Sequence, residues 1–207
     1  MISFFTVFPL HINISLNVNR DMEYHPFLFP DDPQKKYRIK EHYIVIDSTD
    51  RDRSVWPTTT NFQVQLEPSD TYTGATLSHH YRNVKSIELL SASYPTAGSS
   101  SNEACLYLCI PELEGSFDGT NLTATKAFAR LIPTTITPYF IQCDLNTKPR
   151  LIFDTQGKRL DRMTIQIKKS DGTFFSFGTD TSSPTAPNPL YQVNLVFKII
   201  TVEPLIH

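Results

Sequence analysis

The chain has 207 residues, a length that suits one all-β domain built around a single core. Its 19 Lys and Arg residues against 21 Asp and Glu give a formal charge of -2, so no global positive field would hold nucleic acid through counterion release. Fourteen Phe and nine Tyr against seven Gly favour β structure, because aromatic side chains pack well on pleated sheets. We expect a β-rich domain that binds no specific nucleic acid.

The first 36 residues predict an extended arm outside the main fold. Apolar and polar residues alternate over residues 12–19, which is the pattern of a strand with one wet face. Prolines and aromatics then crowd residues 24–33, where they disfavour both helix and a regular ladder. We predict that this arm orders mainly against a neighbouring subunit, with Phe27 and Phe29 as interface residues. A start of translation at Met22 would instead make residues 1–21 an extension.

The remaining residues, 37–207, are predicted to form the folded domain, with few helices. The predicted strands lie near residues 42–47, 61–66, 84–92, 104–111, 126–132, 139–143, 150–154, 162–169, 173–178 and 190–202. Asp171 and Gly172 join two of these strands and give the strongest hairpin signal, because glycine tolerates a positive φ. We expect an antiparallel jelly-roll sandwich, closed by pairing of the last strand with an early one.

Alternating apolar positions within these strands predict the inner faces of the sandwich. The predicted core residues are Ile44, Ile46, Val84, Ile87, Leu89, Ile165, Ile167, Leu195 and Phe197. Trp56, the single tryptophan, is either a cap on this core or an interface anchor, because tryptophan is common in both settings.

Three aspartates after the first predicted strand are candidate calcium ligands. Asp47, Asp50 and Asp52 could in principle gather calcium, but the glycine and the distal glutamate of the familiar calcium loop are missing. Arg51 and Arg53 alternate with these carboxylates and neutralise them. The spacing therefore favours a local Asp–Arg network over a metal site.

Cysteine and histidine residues give no clear catalytic or metal-binding pattern. Cys105 and Cys109 would lie about 13 Å apart on a strand, too far to share a zinc ion or a disulfide. The adjacent His79 and His80 would point to opposite faces of an extended segment. The sequence also lacks a nucleophile elbow and a glycine-rich phosphate loop. We expect no catalytic, cofactor-binding or metal-binding residues, and a protein that is not an enzyme.

Four segments, taken in order, carry a family resemblance. They read YIVIDSTDRDR at 43–53, NFQVQL at 61–66, NVKSIELLSASYP at 83–95, and LDRMTIQI at 160–167 followed by DGTF at 171–174. Together they resemble the single jelly-roll minor capsid proteins of nucleocytoplasmic large DNA viruses, of chlorovirus type. The motif positions that this resemblance implies to be fold-specifying are Asp47, Ser48, Asp50, Arg51, Glu88, Leu89, Pro95, Arg162, Asp171 and Gly172.

The resemblance also implies partners and a location. Proteins of this family bind and cross-link the trimeric capsomers of the major capsid protein, contact other minor capsid proteins, and in some cases reach the inner viral membrane. The expected protein is therefore a homo- or hetero-oligomeric component of the virion, without a cofactor, assembled in the host cytoplasm. A vertex (penton) position in the same capsid is an alternative that the sequence does not separate.

Two further functions remain open on this fold. A lectin would need exposed aromatic side chains that stack on sugar rings, and the candidates are Tyr72, Tyr81, Tyr139 and Tyr191. A cupin-like enzyme would need a histidine-rich metal set in the barrel interior, and His42, His79 and His80 lack the required spacing. Both alternatives are less well supported than the capsid interpretation.

Overall fold

The computed structural model describes residues 37–67, 76–77, 79–96, 103–113, 117–145, 149–153, 158–180 and 185–204. The strands within these ranges are β1 Tyr37–Asp47, β2 Asn61–Gln65, β3 Val84–Pro95, β4 Leu106–Cys109, β5 Ala129–Ile136, β6 Phe140–Asp144, β7 Arg150–Ile152, β8 Arg162–Lys168 and β9 Asn194–Pro204. Helix in the same ranges is limited to α1, Leu122–Thr125, and to 3-10 helical turns at Ser48–Asp50 and Pro189–Tyr191. The predicted arm, with Phe27 and Phe29, lies outside the described residues.

The strands form two antiparallel sheets with the strand order of a single jelly roll. The first sheet has the order β1-β9-β3-β6, and the second has the order β5-β4-β8-β2. Strand β7 adds a further partner along β3. Strands distant in the chain thus lie side by side, as two Greek keys require. The prediction of an all-β, antiparallel jelly-roll sandwich is confirmed.

Strand β5 connects the two sheets. Its first half, residues 129–131, pairs with β4, and its second half, residues 132–136, pairs with β6. The register shifts between Pro133 and Thr135. Proline lacks an N–H to donate to a ladder and is tolerated at such a bulge, which also bends the strand. The bend lets β5 leave one sheet and enter the other.

The core lies between the inner faces of the two sheets. Every predicted core residue is buried, and they belong to one continuous cluster. The strand β4 is buried at each of its four positions, and large aromatic side chains such as Phe62, Phe128 and Tyr94 fill the space between the sheets. The predicted alternation is therefore confirmed, although it identified only part of the core.

Strand β1 begins at Tyr37, earlier than the predicted residue 42. Residues 37–41 pair in register with residues 200–204 of β9, so a long partner strand extends β1 at its start. Lys40 pairs with Glu203 across the two strands, with Nζ 2.7 Å from Oε2.

The predicted hairpin at Asp171 and Gly172 forms only in part. Gly172 has a φ of 88°, and its amide donates to the Lys169 carbonyl at 3.0 Å, so the turn is confirmed. The returning segment forms a single bridge from Phe174 to Lys168 instead of a strand over 173–178. Strand β2 already occupies that edge of β8 from Arg162 to Gln166. The hairpin can therefore pair only beyond Gln166.

Candidate functional site

The buried guanidinium of Arg51 is hydrogen-bonded through all five of its N–H donors. Its side chain is 0% exposed. The donors and acceptors are Nε to Trp56 O at 2.9 Å, Nη1 to Ser48 O at 2.6 Å and to Gln192 Oε1 at 2.9 Å, and Nη2 to Asp180 Oδ2 at 2.7 Å and to Pro57 O at 3.2 Å. These bonds fix the turn after β1 and its exit towards β2.

The carboxylate that pairs with Arg51 comes from a distant loop. Asp180 is 2% exposed in its side chain, and its Oδ1 accepts from the Asn188 amide at 2.7 Å. Gln192 joins the group, because its Nε2 donates to Asp180 Oδ2 at 3.1 Å and its Oε1 accepts from Ser48 Oγ at 2.8 Å. The predicted local Asp–Arg network is therefore wrong for Arg51, which ties the turn after β1 to the segment before β9.

The three candidate calcium ligands do not converge. Asp47 accepts from the amide of Thr49 at 2.9 Å and from its hydroxyl at 2.7 Å, and so caps the 3-10 turn. Asp52 accepts from the Ser54 amide at 2.9 Å, while Asp50 is exposed. Nowhere in the described ranges do three or more His, Cys, Asp or Glu side chains gather in a way that could hold a metal ion.

The remaining motif residues lie on other strands and turns. Leu89 and Pro95 are buried on β3, and Glu88 lies on its outer face opposite Lys198 and Arg150. Arg162 is largely exposed at the start of β8, with its Nε 3.6 Å from Glu112 Oε1. The structure thus keeps Asp47, Ser48, Asp50 and Arg51 together in the turn after β1 and distributes the others over β3, β8 and the turn after β8.

Asp171 stabilises the turn that Gly172 completes. Its Oδ1 accepts from the Thr173 amide at 2.9 Å and from the Thr173 hydroxyl at 2.6 Å. These hydrogen bonds hold the pKa of the Asp171 carboxyl below its usual range. The carboxylate therefore has a local structural contact at neutral pH.

Two of the three histidines considered for a metal site form a ring cluster. The rings of His42 and His79 have centroids 4.7 Å apart, and Tyr81 lies 4.9 Å from His79. Burial, together with the nearby His79, lowers the pKa of His42, whose Nε2 lies 2.9 Å from Thr201 Oγ1. His80 turns the other way, with Nδ1 3.4 Å from Glu67 Oε1. The adjacent histidines diverge, as predicted.

The three cysteines are free thiols. Burial raises the pKa of Cys143 to about 12 and also raises that of Cys109. Both groups are therefore thiols rather than thiolates at neutral pH, and neither environment activates a nucleophile.

The tyrosines considered for sugar binding do not share a groove. Tyr81 is 5% exposed within the core cluster, and Tyr191 packs against that cluster. Tyr139 is exposed at the turn before β6, and Tyr72 lies outside the described residues. A stacking platform does not form from Tyr81, Tyr139 and Tyr191.

An open apolar groove, here named the Trp56 groove, lies beside the Arg51 group. It has a volume of about 390 Å³ and is lined by residues 55–61 on one side and 174–178 on the other. Trp56 packs partly against the core and partly lines this groove, and its role as an interface anchor stays a prediction. Val55 and Phe174 are exposed on its walls, at 61% and 46%.

A second apolar surface, here named the outer face, covers β1 and β9. The side chains of Ile39, Tyr43 and Val45 are exposed there. Val45 lies opposite Val196, and an ion pair between Glu41 and Lys198, with Oε1 2.7 Å from Nζ, crosses the middle. The outer face therefore has apolar ends and a charged centre.

Comparison with known proteins adds no family assignment. A scan of protein-family models finds no match, and a search of curated proteins finds no similar sequence. Within the described residues, no helix is both long and apolar enough to cross a membrane.

Proposed function

We propose that this protein is a minor capsid component of a large DNA virus, which binds and cross-links major capsid capsomers by protein–protein contacts. The observation that supports this proposal most directly is a single jelly roll with an exposed apolar outer face. Clustered apolar side chains on the surface of a soluble domain mark protein interaction sites. The resemblance of the four motif segments supplies the class of partner.

The outer face suits adhesion between rigid subunits. Its apolar ends would be removed from water on contact, which favours association by roughly 25 cal/mol per Å². Its charged centre, Glu41 with Lys198, would fix the orientation of the partner, because an opposed charge pattern excludes wrong alignments. Strands β1 and β2 lie at the edges of the strand order. A neighbouring subunit would protect these edge strands from pairing with other chains once the particle assembles.

Purified virus particles provide the test. We expect this chain in a fixed ratio to the major capsid protein by quantitative mass spectrometry, and a particle reconstruction with the outer face against a capsomer. The symmetry of that density separates a facet position from a vertex position. A chain absent from purified particles, or an outer face turned to solvent in them, would contradict the proposal.

A pair of variants links the outer face to incorporation. Val45→Asp places a charge on the outer face. Ile136→Asp places a charge at a position on β5 of similar exposure, since Ile136 is 58% exposed and Val45 is 61% exposed. Both variants should keep the thermal stability of the wild type, because neither side chain is buried. Val45→Asp should reduce incorporation into particles by tenfold or more, and Ile136→Asp should not.

A further inference from the structure

We propose that the Trp56 groove binds the proline–aromatic segment, residues 24–30, of a second copy of this chain. This inference rests on the proposed function, in which the arm is an assembly element, and it names the arm's partner and its docking site. The groove, the composition of the segment and the length of the arm each support it.

The chemistry of the groove matches that of the segment. Trp56, Pro57 and Phe174 present aromatic and proline surfaces, and the volume of 390 Å³ lies within the range of about 300–1,000 Å³ that is typical of ligand pockets. The segment reads YHPFLFP and contributes Phe27 and Phe29 between two prolines. Proline-rich segments bind aromatic-lined grooves because their extended conformation is already restricted before binding.

An unpartnered polar atom belongs to a residue that lines the groove. Asn61 lines the groove, and its Oδ1 is buried with no hydrogen-bond partner among the described residues. A buried acceptor of this kind normally finds a donor. Residues 27–29 of the segment keep their backbone N–H groups, because prolines flank them without occupying these positions. One of these amides can donate to Asn61.

Charge favours the same occupant. Lys168 lies beside one wall of the groove, with its Nζ 5.2 Å from the centroid of the Phe174 ring. Asp31 and Asp32 follow the segment directly in the chain. An arm bound in the groove could therefore place an acidic pair near a basic side chain.

The length of the arm argues for a second copy. The groove adjoins the Asp47 end of β1, because Arg51 bonds to the carbonyls of Trp56 and Pro57. The arm joins β1 at the opposite end, at Tyr37, and the strand between spans roughly 33 Å. The eight Cα–Cα steps from Phe29 to Tyr37 reach at most about 29 Å when fully extended. The reach of Phe29 therefore falls short of the length of β1, which favours the groove of a second copy over the chain's own.

Trp56 is the chain's only tryptophan, so its emission reports directly on the groove. The probe is a synthetic peptide of residues 22–36, added to the full-length protein. We expect a saturable blue shift of Trp56 emission. For the same peptide with Phe27→Ala and Phe29→Ala, the peptide concentration at half-saturation should be at least tenfold higher.

Variants of the groove provide the matched controls. Phe174→Ala and Val55→Asp each change a groove wall and should weaken peptide binding at least tenfold, while Ile136→Ala changes an apolar residue of comparable exposure on β5 and should not. Thermal unfolding of each variant verifies that it folds. If Phe174→Ala does not fold, Val55→Asp still tests the groove. Sedimentation of the full-length protein should show self-association that the same two variants weaken.

The outcomes separate this proposal from the capsid function. Trp56 emission that does not respond to the peptide, or a full-length protein that stays monomeric at every concentration, overturns binding in trans. If the chain is nevertheless present in particles, the capsid function stands without this docking site. If the protein binds the peptide but is absent from particles, the proposed docking site in the groove is supported and the capsid function is refuted.

Discussion

Burial of Arg51 removes a full positive charge from water, and its hydrogen bonds with Asp180 and four further acceptors offset that cost. Arg51→Ala removes one partner of a buried ion pair, so we expect a loss of about 3–5 kcal/mol in the free energy of unfolding. Arg51→Lys should also destabilise the protein, because lysine offers three donors to acceptors that are arranged for a planar fork of five. Urea denaturation measures both effects.

The exposed pair of Lys40 and Glu203 is the control for this prediction. Both side chains are more than a third exposed, and the variant Lys40→Ala should cost no more than about 1 kcal/mol. If Arg51→Ala also costs less than about 1 kcal/mol, the Arg51 group does not hold the turn after β1 in place.

The ring cluster of His42 predicts a loss of stability in acid. Burial, His79 and Lys40 lower the pKa of His42 in the folded protein, while Glu203 opposes them. The unfolded chain then binds the proton more tightly, so the stability contributed by neutral His42 is fully present above its ordinary pKa of about 6.5 and falls as the pH drops below that value. Urea midpoints at pH 7.5 and pH 5.5 should show this difference.

Two histidine variants test the assignment to His42. His42→Gln should reduce the difference between the two midpoints, because it removes the group that gains a proton on unfolding. His80→Gln removes one histidine and leaves the contact between His42 and His79 unchanged, so the difference should persist. An equal reduction in both variants would assign the acid sensitivity to another group.

The contacts of the motif residues differ in how far along the chain their partners lie. The capping of the turn by Asp47 follows from a short-range pattern, since its acceptor and donors are two residues apart. Asp180 lies 129 residues from Arg51, in a proline-rich loop whose composition gives no sign of burial. A partner at that distance is set by the topology of the sandwich and not by the surrounding sequence.

At the scale of the element, the turn after β8 depends on a conformation that L-residues rarely adopt. Gly172 has a φ of +88°, and an added Cβ would lie 3.1 Å from the Thr123 hydroxyl oxygen. Gly172→Ala should therefore lower the free energy of unfolding by about 1–2 kcal/mol. Gly172→Asn adds the same Cβ but tolerates a positive φ better, and it should cost less. Equal costs in urea denaturation would assign the effect to crowding alone.

The position of the returning segment after this turn could not be predicted from its own pattern. Phe175 and Phe177 alternate as in a strand and are buried as a strand would place them. The amide of Phe175 still donates to the Ile167 carbonyl, at 3.0 Å, but β2 takes the rest of that edge of β8. A residue pattern reports which side chains are buried, whereas competition between strands for one edge decides which of them pair.

At the scale of the whole molecule, the jelly roll brings its first and last strands together. Strand β1 pairs with β9 over all of its 11 residues, and β9 also pairs with β3. This arrangement places the attachment point of the arm, Tyr37, beside the end of β9 and far from the Trp56 groove. The order of the strands therefore separates the start of β1 from the Trp56 groove by the length of that strand.

The last prediction concerns deletion of the arm, residues 1–36. Its alternating strand and its proline–aromatic stretch carry apolar side chains that a partner surface can bury. The described residues form one continuous hydrophobic core. Deletion should therefore leave the thermal unfolding of the remaining domain nearly unchanged and should weaken incorporation into particles, because binding in trans contributes to association and not to the fold of the monomer. Differential scanning calorimetry and particle content measure the two effects. A truncated domain that aggregates or unfolds at a much lower temperature, beside a well-behaved full-length monomer, would mean that the arm belongs to the domain's own core.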